Sequence, residues 1–261
     1  MSNISNQAYV HPEAKLGENV TIEAFAFIDR NTEVGDGTHI MSGANIRSGS
    51  RIGSDCCIFP GAVVGGIPQD LKFKGEDSLA IVGNNTTIRE CATVNRGTAS
   101  KGHTTVGSYC LLMAYSHVAH DCELSDYVIL GNATQLAGEV EVDHHAILSG
   151  GTLVHQFTRL GAHVMIQGGT RLGKDIPPFI IAGREPVCYS GVNLIGLRRS
   201  GYSNEKINEI QEIYRVIYQA GFNFSDAIGK IENEFAETPE MRLIVDFVKN
   251  SPRGIVRGYM G

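Results

Sequence analysis

What this chain of 261 residues lacks already closes several classes of explanation. No apolar run approaches the ~18 residues of a membrane-crossing helix, so no segment reads as a membrane span. Basic residues are outnumbered: 22 Lys and Arg stand against 28 Asp and Glu, a net charge of −6, which argues against a general nucleic-acid binder. The opening MSNISNQAYV has neither the basic start nor the apolar core of a secretory signal. Six cysteines include no CxxC pair, so a reduced, cytoplasmic chain is expected. GxxxxGKS/T, GxSxG, HExxH and a strand-borne GxGxxG are also missing, which removes support for nucleotide hydrolysis and serine-hydrolase chemistry. The nearest approach to a phosphate loop, GGTRLGKD, has Asp175 where a magnesium-binding hydroxyl belongs. Prolines number only 8 and no Gly-X-Y period exists, so the chain is neither collagen nor a disordered linker.

Glycine is plentiful, at 31 residues, and points to many tight turns. Their arrangement follows a repeat. Stepping by six from Val10 meets Leu16, Ile22, Ile28, Val34, Ile40, Ile46, Ile52, Ile58 and Val64; Asp70 and Glu76 interrupt. The phase returns at Val82, Ile88 and Val94, misses at Ser100, and runs from Val106 to Leu172, giving aliphatics at 25 of 28 positions. Two residues before each of them stands Ala, Ser, Thr, Cys or Val, and glycine often follows, as at Gly17, Gly35, Gly53 and Gly131. Neither a helix, at 3 to 4 residues, nor a simple strand, at 2, has a period of six. A short strand and a sharp corner do. The aliphatic fills a narrow core, the small residue fits beside it, and the glycine relieves the corner. Three sides close a coil of 18 residues, so the fold class is a mainly β parallel β-helix of about nine coils. Cys56, Cys110 and Cys122 fall at the small core position and read as packing residues.

Two polar interruptions, near 66–80 and 96–104, read as loops leaving the coil. The segment DIPPFIIAGREPVCYSGVNLIGLRRSGYS, which follows the last repeats, reads as irregular. From Ser203 the periodicity becomes helical, with Ser203 as cap and Gly221 as stop; further helices are expected from about Ser225 to Ala236 and Pro239 to Lys249. The organisation expected is a β-helix over 1–190 and a helical C-terminal domain over 191–261 that covers the open solenoid end.

With 18 residues per coil, His120, Gly138 and Gln156 form one column, spaced about 4.8 Å from coil to coil. Each lies two residues after its core aliphatic and is expected to face outward. An imidazole beside an accessible glycine N–H suits acyl transfer: one removes a proton, the other receives an oxyanion. Asp121 can fix the imidazole tautomer if the corner turns it back, and His117 lies close. A solvated surface cluster is the plain alternative. His144, His145, His155 and His163 also lie on the coils, with His145 and His163 stacked, but no metal-ligand spacing appears, and surface or subunit-contact roles are expected.

The strings PQDLKFKGE, IRECATVNRGT, MAYSHVAHDC, ATQLAGEVEVD, TLVHQF, GAHVMI and GVNLIGLRRSGYS, in this order, resemble the UDP-N-acetylglucosamine acyltransferase family across essentially the whole chain. The resemblance supplies the left hand of the β-helix, which the period alone leaves open. It implies a homotrimer with sites in clefts between neighbouring β-helices. It also implies an (R)-3-hydroxyacyl donor on the phosphopantetheine of acyl carrier protein, with the 3-position of UDP-N-acetylglucosamine as acceptor, the first step of lipid A biosynthesis. No cofactor or metal of the chain's own is implied. By the family pattern His120 is the general base, Asp121 its partner and Gly138 the oxyanion donor. Gln69, Asp70, Lys72, His117, His155 and Gln156 match sugar- and acyl-contacting positions, Gly168 the position that limits acyl length, and Asn193, Arg198 and Arg199 the nucleotide-contacting stretch.

Glu139, Asn95, Ile195 and Ser200 depart from the better-known enterobacterial pattern, which leaves the base and oxyanion positions intact. Six basic residues (Arg159, Arg171, Lys174, Arg184, Arg198, Arg199) against two acidic ones (Asp175, Glu185) form a zone that suits an acidic carrier protein or a diphosphate. The hexapeptides alone fit other readings: an acyltransferase for another nucleotide sugar or an acyl-coenzyme A donor, or a non-catalytic binding solenoid.

Overall fold

A computed structural model describes residues 2–258. The hexapeptides fold into three parallel sheets that form the faces of a triangular prism. Most strands are two residues long, with the aliphatic buried and its predecessor turned outward, as in Ile129–Leu130 and Gln135–Leu136. The first face carries ten parallel strands closed by one antiparallel strand, the second nine strands and the third eight. Register is 18 residues along most of the prism: His117 pairs with Gln135, Gln135 with Leu153 and Leu153 with Arg171. Leu112, Leu130, Leu136, Leu148 and Ile166 are fully buried along the axis, so each coil adds one aliphatic per face to a continuous core.

The corners have a regular backbone signature. At most corners the residue three after the core aliphatic takes left-handed φ, whether glycine (Gly37, Gly43, Gly61) or not (Asn31, Asp55, Tyr109, Asp121, Glu139). Such a conformation costs roughly 1–2 kcal/mol in a non-glycine residue, so coil-to-coil bonding must offset it. This revises the role of the glycines that directly follow the aliphatics. Gly35 has no left-handed φ; a Cβ there would lie 2.6 Å from the Gly53 carbonyl carbon of the next coil. These glycines serve close stacking rather than the bend.

Both interruptions are loops. Cys57 pairs with Thr87, 30 residues on, so residues 67–78 leave the coil between the strands Val63–Gly66 and Leu79–Val82. Thr87 pairs with Leu111, 24 residues on, and residues 96–102 leave between Thr93–Asn95 and His103–Val106. The loops brace each other: Ala99 N–H donates to Glu76 Oε1 at 3.0 Å and Arg96 N–H to Gly66 O at 3.0 Å.

The stretch read as irregular after Leu172 is ordered. Ile180–Gly183 continues the first face, Cys188–Val192 turns back antiparallel on it, and α1 (Leu194–Arg199) follows. Its pieces, strands of four and five residues and a helix of six, carry no long period, which hid them. Ser203 caps α2 (Asn204–Gln219), Asn223 caps α3 (Phe224–Glu234) and Thr238 caps α4 (Pro239–Lys249). On α2, Ile207, Ile210, Ile213, Tyr214 and Ile217 are buried, and Tyr214 Oη donates to Pro178 O at 2.5 Å. The last edges are paired by the hairpin and by the tail, where Asp175 bridges Ile255 and Cys188 bridges Arg257. No helix among the described residues is long and apolar enough to cross a membrane.

Cys56, Cys110 and Cys122 are buried, and burial pushes the Cys110 thiol up to about 11 and the Cys122 thiol up to about 12. Since the thiolate is the nucleophile, these three are inert in the native protein. Iodoacetamide at neutral pH is expected to leave them unmodified by peptide mass spectrometry, while the urea-unfolded chain is alkylated at all six cysteines.

Candidate active site

His120 and Asp121 occupy the corner after the second-face strand His117–Val118. Asp121 is the left-handed residue of that corner, with φ 61°, so its side chain returns to the side of its own neighbour. The result is a 2.8 Å hydrogen bond between His120 Nδ1 and Asp121 Oδ2. Asp121 is fully buried. Burial alone pushes its carboxyl up, but hydrogen bonds from Thr98, His120 and the Lys101 N–H outweigh this and hold it below the ordinary carboxylate range. A carboxyl lowered by folding contributes stability above its unfolded value, about 3.9, and the contribution disappears as pH falls through the lower folded value.

The expected column exists, but His120 is buried rather than outward in solvent, with only 9% exposure. Gly138 explains this. A Cβ at that position would lie 2.5 Å from both Cε1 and Nε2 of His120, so the ring lies over the bare glycine of the next coil. Glu139 N–H donates to His120 O at 3.0 Å, and Gly138 O accepts from Phe157 N–H at 3.2 Å. The Gly138 N–H has no acceptor among the described residues. With Nδ1 engaged by Asp121, Nε2 is the ring nitrogen left for chemistry.

A cavity of about 670 Å³ opens along this face, lined by Gln69, His117, His120, Gly138, His155 and Gln156 together with Leu153, Arg171 and Gly173. Six of the residues expected at the site therefore meet in one place. His117 Nδ1 lies 2.7 Å from Thr93 Oγ1; burial, then the neighbouring His120, lowers its pKa and keeps it neutral. Asp70 and Lys72 do not line the cavity: the Asp70 carboxylate accepts the Lys72 N–H at 2.9 Å within the loop 67–78. Gly168 lies outside the lining, exposed at the corner before the strand Arg171–Leu172.

Asn193 serves the fold in its own chain. Its Oδ1 accepts from Gly196 N–H at 3.1 Å to cap α1, and its Nδ2 donates to His163 O at 2.9 Å. Arg198 and Arg199 are exposed at the last turn of α1, away from the lining. The basic zone is thinner than its composition suggests. Arg159 pairs with Glu141 at 3.0 Å, and Lys174 donates to Arg253 O at 2.6 Å.

His144, His145 and His163 bring a ring nitrogen each within 4.8 Å of one another. The His145 and His163 rings stack 4.7 Å apart at 20°, continuing a ladder from Tyr109 and Tyr127 to Phe179. In-plane lone pairs of stacked rings run parallel rather than converging on one ion.

Leu153 escaped the sequence reading and Arg171 entered it only as part of the basic zone, although the column arithmetic applied to His117 reaches both. Thr98 also escaped it, because the extra residues of its loop break the register.

A family model described as UDP N-acetylglucosamine O-acyltransferase, domain 2, matches residues 175–256, and a bacterial transferase hexapeptide model of six repeats matches residues 31–66. The acyl-(acyl-carrier-protein)–UDP-N-acetylglucosamine O-acyltransferase of Chlorobaculum parvum is 47% identical over 255 residues, covering 97% of this chain and 97% of that protein. The chain belongs to the UDP-N-acetylglucosamine acyltransferase family. Among the family's solved structures, the enzyme of Bacteroides fragilis superposes with a TM-score of 0.96 at 59% identity, covering 97% of this chain and 99% of that one. The Francisella novicida enzyme gives 0.95 at 36% identity, covering 98% and 95%. The fold is thus the family's left-handed parallel β-helix with C-terminal helices.

Gly138→Ala tests the contact between ring and glycine. The methyl is expected to displace the imidazole and break the Nδ1 bond to Asp121, which loses the downfield hydrogen-bonded Nδ1–H proton resonance of His120 in NMR spectra while the β-helix circular dichroism persists.

Proposed function

We propose that this chain transfers an (R)-3-hydroxyacyl group from acyl carrier protein to the 3-position of UDP-N-acetylglucosamine, the first step of lipid A biosynthesis. Family membership supports the substrates, and the buried His120–Asp121 pair beside the unengaged Gly138 N–H carries the mechanism. The sugar hydroxyl attacks the thioester carbonyl as His120 Nε2 takes its proton. The Gly138 N–H donates to the oxyanion that forms. Collapse expels the phosphopantetheine thiolate, which recovers the proton from His120. Asp121, ionised throughout, holds Nδ1–H and stabilises the transient imidazolium. The chain needs no cofactor of its own, because the phosphopantetheine arrives on the donor. A cytoplasmic site of action, where that donor is made, completes the reading.

The working unit is a homotrimer. The cavity is open along one side and its wall includes the exposed Leu153, so a neighbouring β-helix would supply the opposite wall. Arg198 and Arg199, exposed and set away from the cavity of their own chain, would serve the nucleotide in a neighbour's cleft, where guanidinium groups suit a diphosphate through paired hydrogen bonds, while Asn193 holds the turn that presents them. Asp70 and Lys72, on the projecting loop, would reach substrate in the same way.

Replacing His120 with Ala is expected to lower kcat by about 10²–10⁴-fold with KM much less affected, measured with hydroxyacyl carrier protein and radiolabelled UDP-N-acetylglucosamine. Because His120 is buried against Asp121, the variant should also melt lower than the parent, yet remain folded. A folded variant turning over within a few-fold of the parent removes His120 from the mechanism. Gly168→Met is expected to shift preference toward shorter donors, each excluded methylene costing about 0.8 kcal/mol of burial, as read from competition between acyl chain lengths.

A further inference from the structure

The loop 96–102 has a task that its sequence does not announce. Thr98 is buried, and both of its donors meet one carboxylate: its N–H reaches Asp121 Oδ1 at 2.9 Å, and its Oγ1 reaches Asp121 Oδ2 at 2.6 Å. Oδ2 is also the oxygen bonded to His120 Nδ1. Lys101 N–H adds a weaker bond to Oδ1 at 3.3 Å, and Asp121 N–H is taken by Thr104 Oγ1 at 2.8 Å.

The loop itself is fastened on three sides. Lys101 Nζ pairs with Glu123 at 2.8 Å, Ser100 Oγ donates to Glu139 Oε1 at 3.1 Å, and Ala99 N–H donates to Glu76 Oε1 at 3.0 Å. Glu139 is the residue that follows Gly138, so the clamp joins the coil bearing the imidazole to the coil bearing the unengaged N–H.

We propose that Thr98 is a positioning residue for the acyl transfer. Its hydroxyl and N–H orient the Asp121 carboxylate so that it holds His120 with Nδ1 protonated and Nε2 toward the cavity; this rests on the reading of His120 as the base. Two physical effects follow from the geometry. A carboxylate with both oxygens tied cannot rotate away from the ring, so the tautomer and angle of the imidazole are fixed. Three donors besides the ring also share the carboxylate charge, so removing the Thr98 hydroxyl leaves more of that charge to attract an imidazolium. The other titratable groups near the pair are Cys122 directly after it, His117 on the strand before the corner, Lys101 on the loop, Glu139 on the next coil, and His155 and Arg171 along the cavity.

The test compares Thr98→Val, which keeps the shape and removes the hydroxyl, with Thr98→Ser, which keeps the hydroxyl. Kinetics use hydroxyacyl carrier protein and UDP-N-acetylglucosamine over a pH series, and NMR titration follows the His120 imidazole in each protein. For Thr98→Val, kcat is expected to fall about tenfold or more with KM little changed. The acid limb of kcat/KM and the His120 titration should both move to higher pH. Thr98→Ser should return to within about threefold of the parent on both readouts, and Thr98→Val should cost nothing further in a His120→Ala background. A folded Thr98→Val with parental kcat and parental His120 titration overturns the proposal. So does a Thr98→Ser as impaired as Thr98→Val, which would make bulk rather than the hydroxyl the cause. Should His120→Ala itself retain turnover, the base reading falls instead, and the NMR titration alone then decides whether Thr98 controls the imidazole.

Discussion

The stacking of one coil on the next, at a rise near 4.8 Å, is the constraint from which the rest follows. Each coil must place a core aliphatic, a small neighbour and a left-handed corner residue directly over those of the coil below. The corner conformation is costly for side chains such as Tyr109 or Asp121, and the interlocking backbone bonds of adjacent coils hold it in place. Close approach then dictates glycine wherever a corner meets backbone or a ring from the coil beside it. Gly35 answers to the backbone of Gly53, and Gly138 answers to the imidazole of His120.

The candidate active site is a local use of this same geometry. A left-handed corner turns Asp121 back toward its neighbour, which the alternation of an extended strand would forbid. The bare glycine one coil on accepts the ring and leaves an N–H unengaged beside it. The inserted loop closes the arrangement from behind through Thr98, so the scaffold supplies the pair and its interruption supplies the group that braces it. Rigid coils set the column, while Thr98 of the loop contributes two hydrogen bonds to the carboxylate within it.

What sequence spacing reveals and what only folding reveals divide along the same line. Twenty-five in-phase aliphatics made the β-helix legible, and the cap residue Ser203 with the periodic isoleucines after it made α2 legible. His120, Gly138 and Gln156 were found by register arithmetic, because an 18-residue coil converts sequence separation into adjacency. Arithmetic of that kind fails where register breaks. Thr98 lies 23 residues before Asp121 across an insertion, and no periodic rule connects the two.

By itself, then, the sequence determined the coil, its period, the core positions and the column that holds the candidate base, since each depends on spacing along a repeating backbone. Tertiary structure alone decided that His120 is buried instead of exposed, that Asn193 caps a helix while Arg159 and Lys174 bind inside their own chain, and that the hairpin and tail pair the last edges. Those outcomes depend on which groups from distant segments compete for the same donors and the same space. Burial, capping and pairing are settled by that competition, and the order of residues along the chain does not record it.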